Sequence, residues 1–518
     1  MNIARYLLKF PEKIINSLEE PAMPMPFLFI TFISIVTLRN FLEPLSTHHE
    51  IAFADFVHFY LFYFAIALCL IIVFHLCTGT PVVKVVRVIL PGFIVLLLPP
   101  LFDLMITEGR GTDISYIFPE LHGNLAGRFF TFFGHFDTQG ISAGMKLEIA
   151  LVLVGSFLYF NTKVKKLKII RSILYTLLVY ITAFFFLISP YVTEAITRLI
   201  GLEIVWQHEF FINYFASIIL LAGVFTLYRA NRQIFISLIK DSRPLRLLYY
   251  LSMIIVGVSL GYRLNSPEIN CVNIFNLLFI PTSLAFAWLF SVMTNNMADY
   301  EIDRIASPGR PLTSSQVDPV CYRRLAWLFL LLALVYAMLV NFTTLFLAAA
   351  FISAYFIYSM PPFRLKRITA LSKLVIALNS LVMIMLGYFN VTGTIENLPP
   401  IIFPMVLFGI TLAANFIDIK DYQGDKAAGI KTLPVVMGLQ KAKITAGLFF
   451  LMMYGLVYLV IDWLKAPIFY YYAFQTIGAV QCWLVIRKKY EENPVMIVIL
   501  LSIILGIILI FRYGSNTV

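Results

Sequence analysis

The stretch Asn295-Asn296-Met297-Ala298-Asp299-Tyr300-Glu301-Ile302-Asp303 ends an apolar run that begins near residue 272, and it decides how the chain is read. An uninterrupted apolar run of ~20 residues spans hydrocarbon as a helix. On a helix, steps of four residues advance only about 40° beyond a full turn, so Asn295, Asp299 and Asp303 share one face. A second apolar run, residues 400–418, ends in the same manner with Asp418, Asp421 and Asp425, spaced by three and four. Carboxylates are the hard oxygen ligands that Mg²⁺ prefers, usually shared with substrate phosphates. Acidic residues just past a membrane helix are commonly solvated loop charges. Two such faces in register, each with basic residues nearby, suit a diphosphate held by magnesium ions at a membrane boundary.

Composition supports the membrane reading. Of 518 residues, 60% are hydrophobic and only 13% charged, about half the usual charged share. Apolar runs of roughly 17–25 residues recur from end to end, about fifteen in all. The expected spans fall near residues 26–43, 56–77, 86–107, 147–161, 168–190 and 210–228. A further nine follow near 247–262, 272–294, 325–341, 343–359, 370–389, 400–418, 443–462, 467–486 and 494–511. Six spans followed by nine, with the N-terminus inside, put every basic cluster on one face. These clusters are Lys163/Lys165/Lys166, Arg229/Arg232, Arg304/Arg310, Arg364/Lys366/Arg367, Lys420/Lys426/Lys431 and Arg487/Lys488/Lys489. The net charge of +11 is therefore topological information, and no Arg/Lys stripe with interleaved aromatics suggests a nucleic-acid surface. The expected fold is all-α, with the acidic faces cytoplasmic, in a cell (inner) membrane.

The five cysteines form no CxxC pair, so neither a disulfide framework nor a zinc site is indicated. All seven histidines precede residue 210, which removes His-based catalysis from the second half. The N-terminus begins with an amphipathic segment carrying Arg5, Lys9 and Lys13, and shows no small-residue cleavage pattern. A basic linker near 229–246 is the expected boundary between residues 1–240, a six-helix module of unknown role, and residues 241–518.

Three motifs in the second half carry a family resemblance. Asn295 to Asp303, followed by Arg310-Pro311-Leu312, resembles the first signature of the UbiA superfamily of intramembrane prenyltransferases. Tyr358-Ser359-Met360-Pro361-Pro362-Phe363-Arg364-Leu365-Lys366 resembles its loop between the fourth and fifth helices. Asp418-Ile419-Lys420-Asp421-Tyr422-Gln423-Gly424-Asp425-Lys426, continuing to Gly429 and Thr432-Leu433-Pro434-Val435, resembles its second signature. The resemblance covers about residues 240–518. It implies a nine-helix bundle, Mg²⁺, a polyprenyl diphosphate donor, and transfer to an aromatic or lipid acceptor of the quinone-precursor, chlorin or glycerol-phosphate type. It further implies metal or diphosphate roles for Asn295, Asp299, Asp303, Asp418, Asp421 and Asp425. Of these, Asp299, Asp303, Asp421 and Asp425 are the expected catalytic residues. Asn295, Arg310, Tyr358, Arg364, Lys366, Lys420 and Lys426 are the expected substrate contacts. Asn296 departs from a family pattern that often has Asp there; an amide offers an oxygen but no charge.

The first half matches no family motif. Its longest loop, near 108–146, holds Glu108, Asp113, Glu120, His122, His135 and Asp137, and His58 and His75 lie within the second span. Such groups are as consistent with solvation or hydrogen-bonded helix contacts as with a ligand site. The main rival for the whole chain is a transporter or lipid-binding protein that coordinates an ion with the same carboxylates. Helices broken mid-membrane would favour it.

Overall fold

A computed structural model describes residues 3–20, 23–47, 53–112, 116–117, 125–134, 140–200, 208–265 and 271–514. Among them, regular structure is helical apart from one parallel bridge between Ile368 and Lys431. Among the described residues, fourteen helices are long and apolar enough to cross a membrane. The remaining expected span, near 467–486, is also a helix, Phe469–Ile486, outside those fourteen. The chain is thus a multi-pass membrane protein.

It divides into two compact units, residues 1–232 with 270–275, and residues 233–269 with 276–518. The division falls at 232/233 rather than at 240 because the helix Arg232–Asp241 is already part of the second unit's packing. Leu238 joins that unit's core, and Ser237 Oγ donates to Gln316 Oε1 at 3.1 Å.

In the first unit, six membrane-length helices follow the amphipathic helix Ile3–Glu19. Phe32, Val36, Ala67, Val85, Tyr159 and Phe160 build one core. His58 and His75 are hydrogen-bonded. Nε2 of His58 lies 2.6 Å from the Tyr116 hydroxyl; Nδ1 of His75 donates to Thr80 O at 2.8 Å, while its Nε2 accepts from Arg229 Nε at 2.9 Å. Asp113, Glu120, His122, His135 and Asp137 of the long loop lie outside the described residues.

In the second unit, local chemistry marks the helix ends. Asp318 accepts from Cys321 N at 2.9 Å with Pro319 at the first turn, and Asn341 accepts from Thr344 N at 2.7 Å. Each side chain satisfies a backbone donor that a helix start leaves open. The helices Pro244–Asn265 and Thr369–Thr392 cross backbone to backbone. A Cβ on Gly257 would stand 2.0 Å from Ile384 O, and one on Gly387 would stand 2.1 Å from Ile254 O. In lipid, close approach of backbones is a principal way for helices to gain packing, and only glycine permits this one. The helix Ile402–Ala427 is irregular: a π segment, Met405–Ile410, and a 3₁₀ turn, Ala414–Phe416, precede its acidic end. Asn415 Nδ2 donates to Thr411 O at 3.1 Å and to Leu412 O at 3.0 Å, supplying partners for carbonyls loosened by the irregular winding.

Candidate active site

The first acidic face forms where the helix Cys271–Ala298 gives way to the short helix Tyr300–Ala306. The hydrogen-bond ladder runs through the junction: Asp299 N donates to Asn295 O at 3.0 Å, and Asp303 N to Asp299 O at 2.8 Å. This holds the three side chains in line despite the break. The second face lies on Ile417–Ala427, which Gly429 ends at φ +68°, so that Ile430 N reaches back to Asp425 O at 2.9 Å. The Ile368–Lys431 bridge fastens the loop that carries Arg364 and Lys366 to the segment following this helix.

Both faces line the mouth of one cavity of about 350 Å³. Asn295, Asp299 and Asp303 contribute from one side, Asp418, Asp421 and Asp425 from the other, with Arg243, Arg246, Arg310 and Lys366 among them. The rest of the wall is aromatic and aliphatic and includes Tyr250, Trp288, Tyr355, Tyr358, Phe450, Tyr454 and Phe474. Tyr250 and Trp288 lie 5.5 Å apart by ring centroid, as do Trp288 and Tyr355.

Cations match most of the carboxylates. Asp299 pairs with Lys366 and, at 3.4 Å, with Arg364 Nη2; Lys366 Nζ also donates to Asn295 Oδ1 at 3.1 Å. Asp303 pairs with Arg310, and Asp418 with the buried Lys373. Burial pushes the Asp303 carboxyl up to about 6 against the pull of Arg310, and draws the Lys366 ammonium down against the pull of Asp299. Among the described residues, no three His, Cys, Asp or Glu side chains converge to hold a metal ion. Mg²⁺ usually binds through one or two carboxylates plus substrate phosphates rather than in an all-protein cage. Asp418 Oδ2 is buried without a hydrogen-bond partner, an oxygen left open beside the cavity.

Some expected contacts stand elsewhere. Lys420 reaches Glu492 at 3.5 Å with its side chain 60% exposed and lines a separate pocket with Asp421 and Glu492. Lys426 is exposed, its Nζ 5.8 Å from the Tyr422 ring centre. Arg364 is held at the rim, donating to Ala298 O at 2.6 Å. Asn296 is 2% exposed and faces away from the cavity. Its Nδ2 donates to both carboxylate oxygens of Asp241, at 2.9 and 3.0 Å, and to Tyr322 Oη at 3.1 Å. Its Oδ1 accepts from Arg243 at 3.2 Å and Arg310 at 3.1 Å. The amide at 296 is therefore a bracket for two arginines rather than a weakened metal ligand.

Sequence reading missed Asp241, Arg243, Arg246, Lys373 and Glu492. Arg243, beside Arg246 and Arg310, is pushed down to about 10, chiefly by burial. Arg246 donates to Glu492 Oε1 at 2.9 and 2.6 Å, joining the unit's first long helix to its last. Lys373 did carry a signal, since a lysine inside an apolar span is costly unless paired.

An all-α membrane bundle around a cavity with a charged mouth and an aromatic throat is the class defined by this fold and site. The chain matches the UbiA prenyltransferase family over residues 247–508, and it belongs to that family. Among curated proteins, it is similar to the digeranylgeranylglyceryl phosphate synthase of Sulfurisphaera tokodaii, 30% identical over 28% of this chain and 52% of that protein. The corresponding synthase of Methanoculleus marisnigri is 32% identical over 32% of this chain and 61% of that protein. Naringenin 8-dimethylallyltransferase 2 of Sophora flavescens is 30% identical over 29% of this chain and 40% of its own length. The chain thus spans about half to three-fifths of the two synthases, and less of the third relative. Among solved structures, a UbiA homolog from Archaeoglobus fulgidus bound to GPP and Mg²⁺ is 20% identical, covering 54% of this chain and 99% of its own at a TM-score of 0.42.

Proposed function

We propose that the second unit transfers a prenyl group from a prenyl diphosphate to a hydrophobic acceptor within the membrane. The single cavity, lined at its mouth by both acidic faces and in its depth by apolar and aromatic side chains, carries this reading. A prenyl diphosphate has the same division, a multiply charged head on a hydrocarbon tail.

Magnesium held by Asn295, Asp299 and Asp303 on one side and Asp418, Asp421 and Asp425 on the other would supply charge neutralisation for the bound diphosphate. Arg243, Arg246, Arg310 and Lys366 add hydrogen-bond donors at the same place. As the allylic C–O bond breaks, its electron pair leaves with the diphosphate, and positive charge develops on the allyl carbon. The faces of Tyr250, Trp288, Tyr355 and Tyr358 stabilise that charge through their quadrupoles. The apolar wall keeps out water that would quench it. The acceptor attacks the allyl carbon and gives up one proton. Similarity to digeranylgeranylglyceryl phosphate synthases and to a naringenin dimethylallyltransferase supports lipid-glycerol phosphate or aromatic acceptors.

The basic loops support a cytoplasmic mouth in a cell membrane. The irregular turns of Ile402–Ala427 are what an ion-transport reading would use, but the carboxylates follow them at the helix end, where Asp418 is paired with Lys373. Purified full-length protein incubated with labelled prenyl diphosphates and a panel of glycerol-phosphate, quinone-precursor and chlorin acceptors tests the proposal. Magnesium-dependent product is expected from at least one pair. Tight diphosphate binding without product from any pair would favour a carrier.

A further inference from the structure

The first unit encloses a cavity of about 840 Å³, larger than the one in the second unit, and its charged groups gather at one end. Arg39 lies near the end of the helix Met25–Thr47, its side chain 4% exposed. Nη1 forms an ion pair with Glu43 Oε2 at 2.9 Å, with Tyr63 on the same wall, and Nε and Nη1 are buried without an aligned hydrogen bond among the described residues. Glu43, Glu148, His58 and Tyr116 line the same end. A buried guanidinium with open donors costs free energy unless something supplies an oxygen. The remaining wall is apolar, including Phe62, Phe74 and Val152, and continues to Ile14 and Leu18 of the amphipathic first helix. Leu18, Ile94, Leu151 and Leu158 on that wall are 41%, 55%, 39% and 37% exposed, so the cavity opens sideways through apolar side chains rather than through polar loops.

We propose that this cavity binds a chain lipid whose head is neutral and carries a hydroxyl or carbonyl oxygen. The tail matches the apolar wall and its lateral opening, and the oxygen accepts from Arg39. Charge decides against other heads. Arg39 is already offset by Glu43 and faces Glu148, so this end offers no net positive charge for a phosphate or diphosphate, while a cationic head meets Arg39 itself. Prenols and quinones share the required chemistry. The inference does not depend on the transfer reading, because it concerns other residues and is read out by binding.

Full-length protein in nanodiscs, titrated with tritiated farnesol, a tritiated short-chain prenyl quinone and farnesyl diphosphate, provides the test. Two variants accompany the wild type. Arg39→Met removes the donor, and Gly155→Phe fills the cavity from a position where an added Cβ meets nothing within 4 Å. Saturable binding of farnesol or the quinone is expected, weakened at least tenfold in both variants, with unchanged helical content and thermal unfolding as the control for folding. Binding of farnesol alone identifies the ligand as a prenol, and of the quinone alone as a quinone. Neutral-ligand binding that survives Gly155→Phe, or that farnesyl diphosphate displaces completely, would overturn the proposal.

Discussion

Asn296 and Lys373 show how single side chains prepare the site without standing in it. Asn296 holds Arg310 and Arg243 through one oxygen while Asp241 and Tyr322 fix its amide nitrogen. A carboxylate at 296 would face the carboxylate of Asp241 and remove the amide hydrogens that now reach both of its oxygens, leaving it the Tyr322 hydroxyl. Asn296→Asp is therefore expected to lower stability by about 1–3 kcal/mol and to weaken diphosphate binding, with Asp241→Asn in the same protein recovering part of both. Thermal unfolding and ligand titration of the three proteins check this. Lys373→Met would leave the charge of Asp418 buried and alone, which costs ~3–5 kcal/mol, and a denaturant titration should register it. The acidic residues themselves were legible because the period of a helix aligns them within nine residues. Their partners were not. Arg246 and Glu492 are 246 residues apart, and only the folded bundle brings them together.

At the scale of elements, apolar length located the helices, while composition alone could not foresee how they meet. The crossing at Gly257 and Gly387 illustrates this, since both glycines sit in ordinary apolar runs and nothing local distinguishes a close crossing from a loose one. Gly257→Ala forces the backbones apart, so a loss of about 1–3 kcal/mol, the usual cost of overpacking, is expected as a lower unfolding temperature. Gly506, with open space around its Cβ, provides the contrast: Gly506→Ala should leave stability nearly unchanged. The irregular winding of Ile402–Ala427 was equally hidden. Its π and 3₁₀ turns change which way the following carboxylates point, whereas the sequence there reads as one continuous apolar helix.

For the molecule as a whole, the two units carry separate expectations. A truncated protein beginning at Gln233 retains residues 233–241, which pack into the second unit, and should keep measurable prenyl transfer if the site lies wholly there. Beginning after Asp241 should abolish it, because the bracket on Asn296 goes with it. Cysteines placed at Gly309 and Ala428, both exposed, should be labelled by an impermeant reagent only after the cytoplasmic face is opened. Labelling from outside intact cells would reverse the topology. The central claim is that two carboxylate faces act together on one diphosphate. It is tested most directly by measuring labelled prenyl transfer at saturating Mg²⁺ for wild type, Asp299→Ala, Asp303→Ala and Asp425→Ala in the full-length protein. Each variant is expected to remain folded and inserted, with turnover reduced to background. Near-normal turnover in Asp299→Ala or Asp425→Ala would contradict the account, because one of the two faces would then take no part in the reaction.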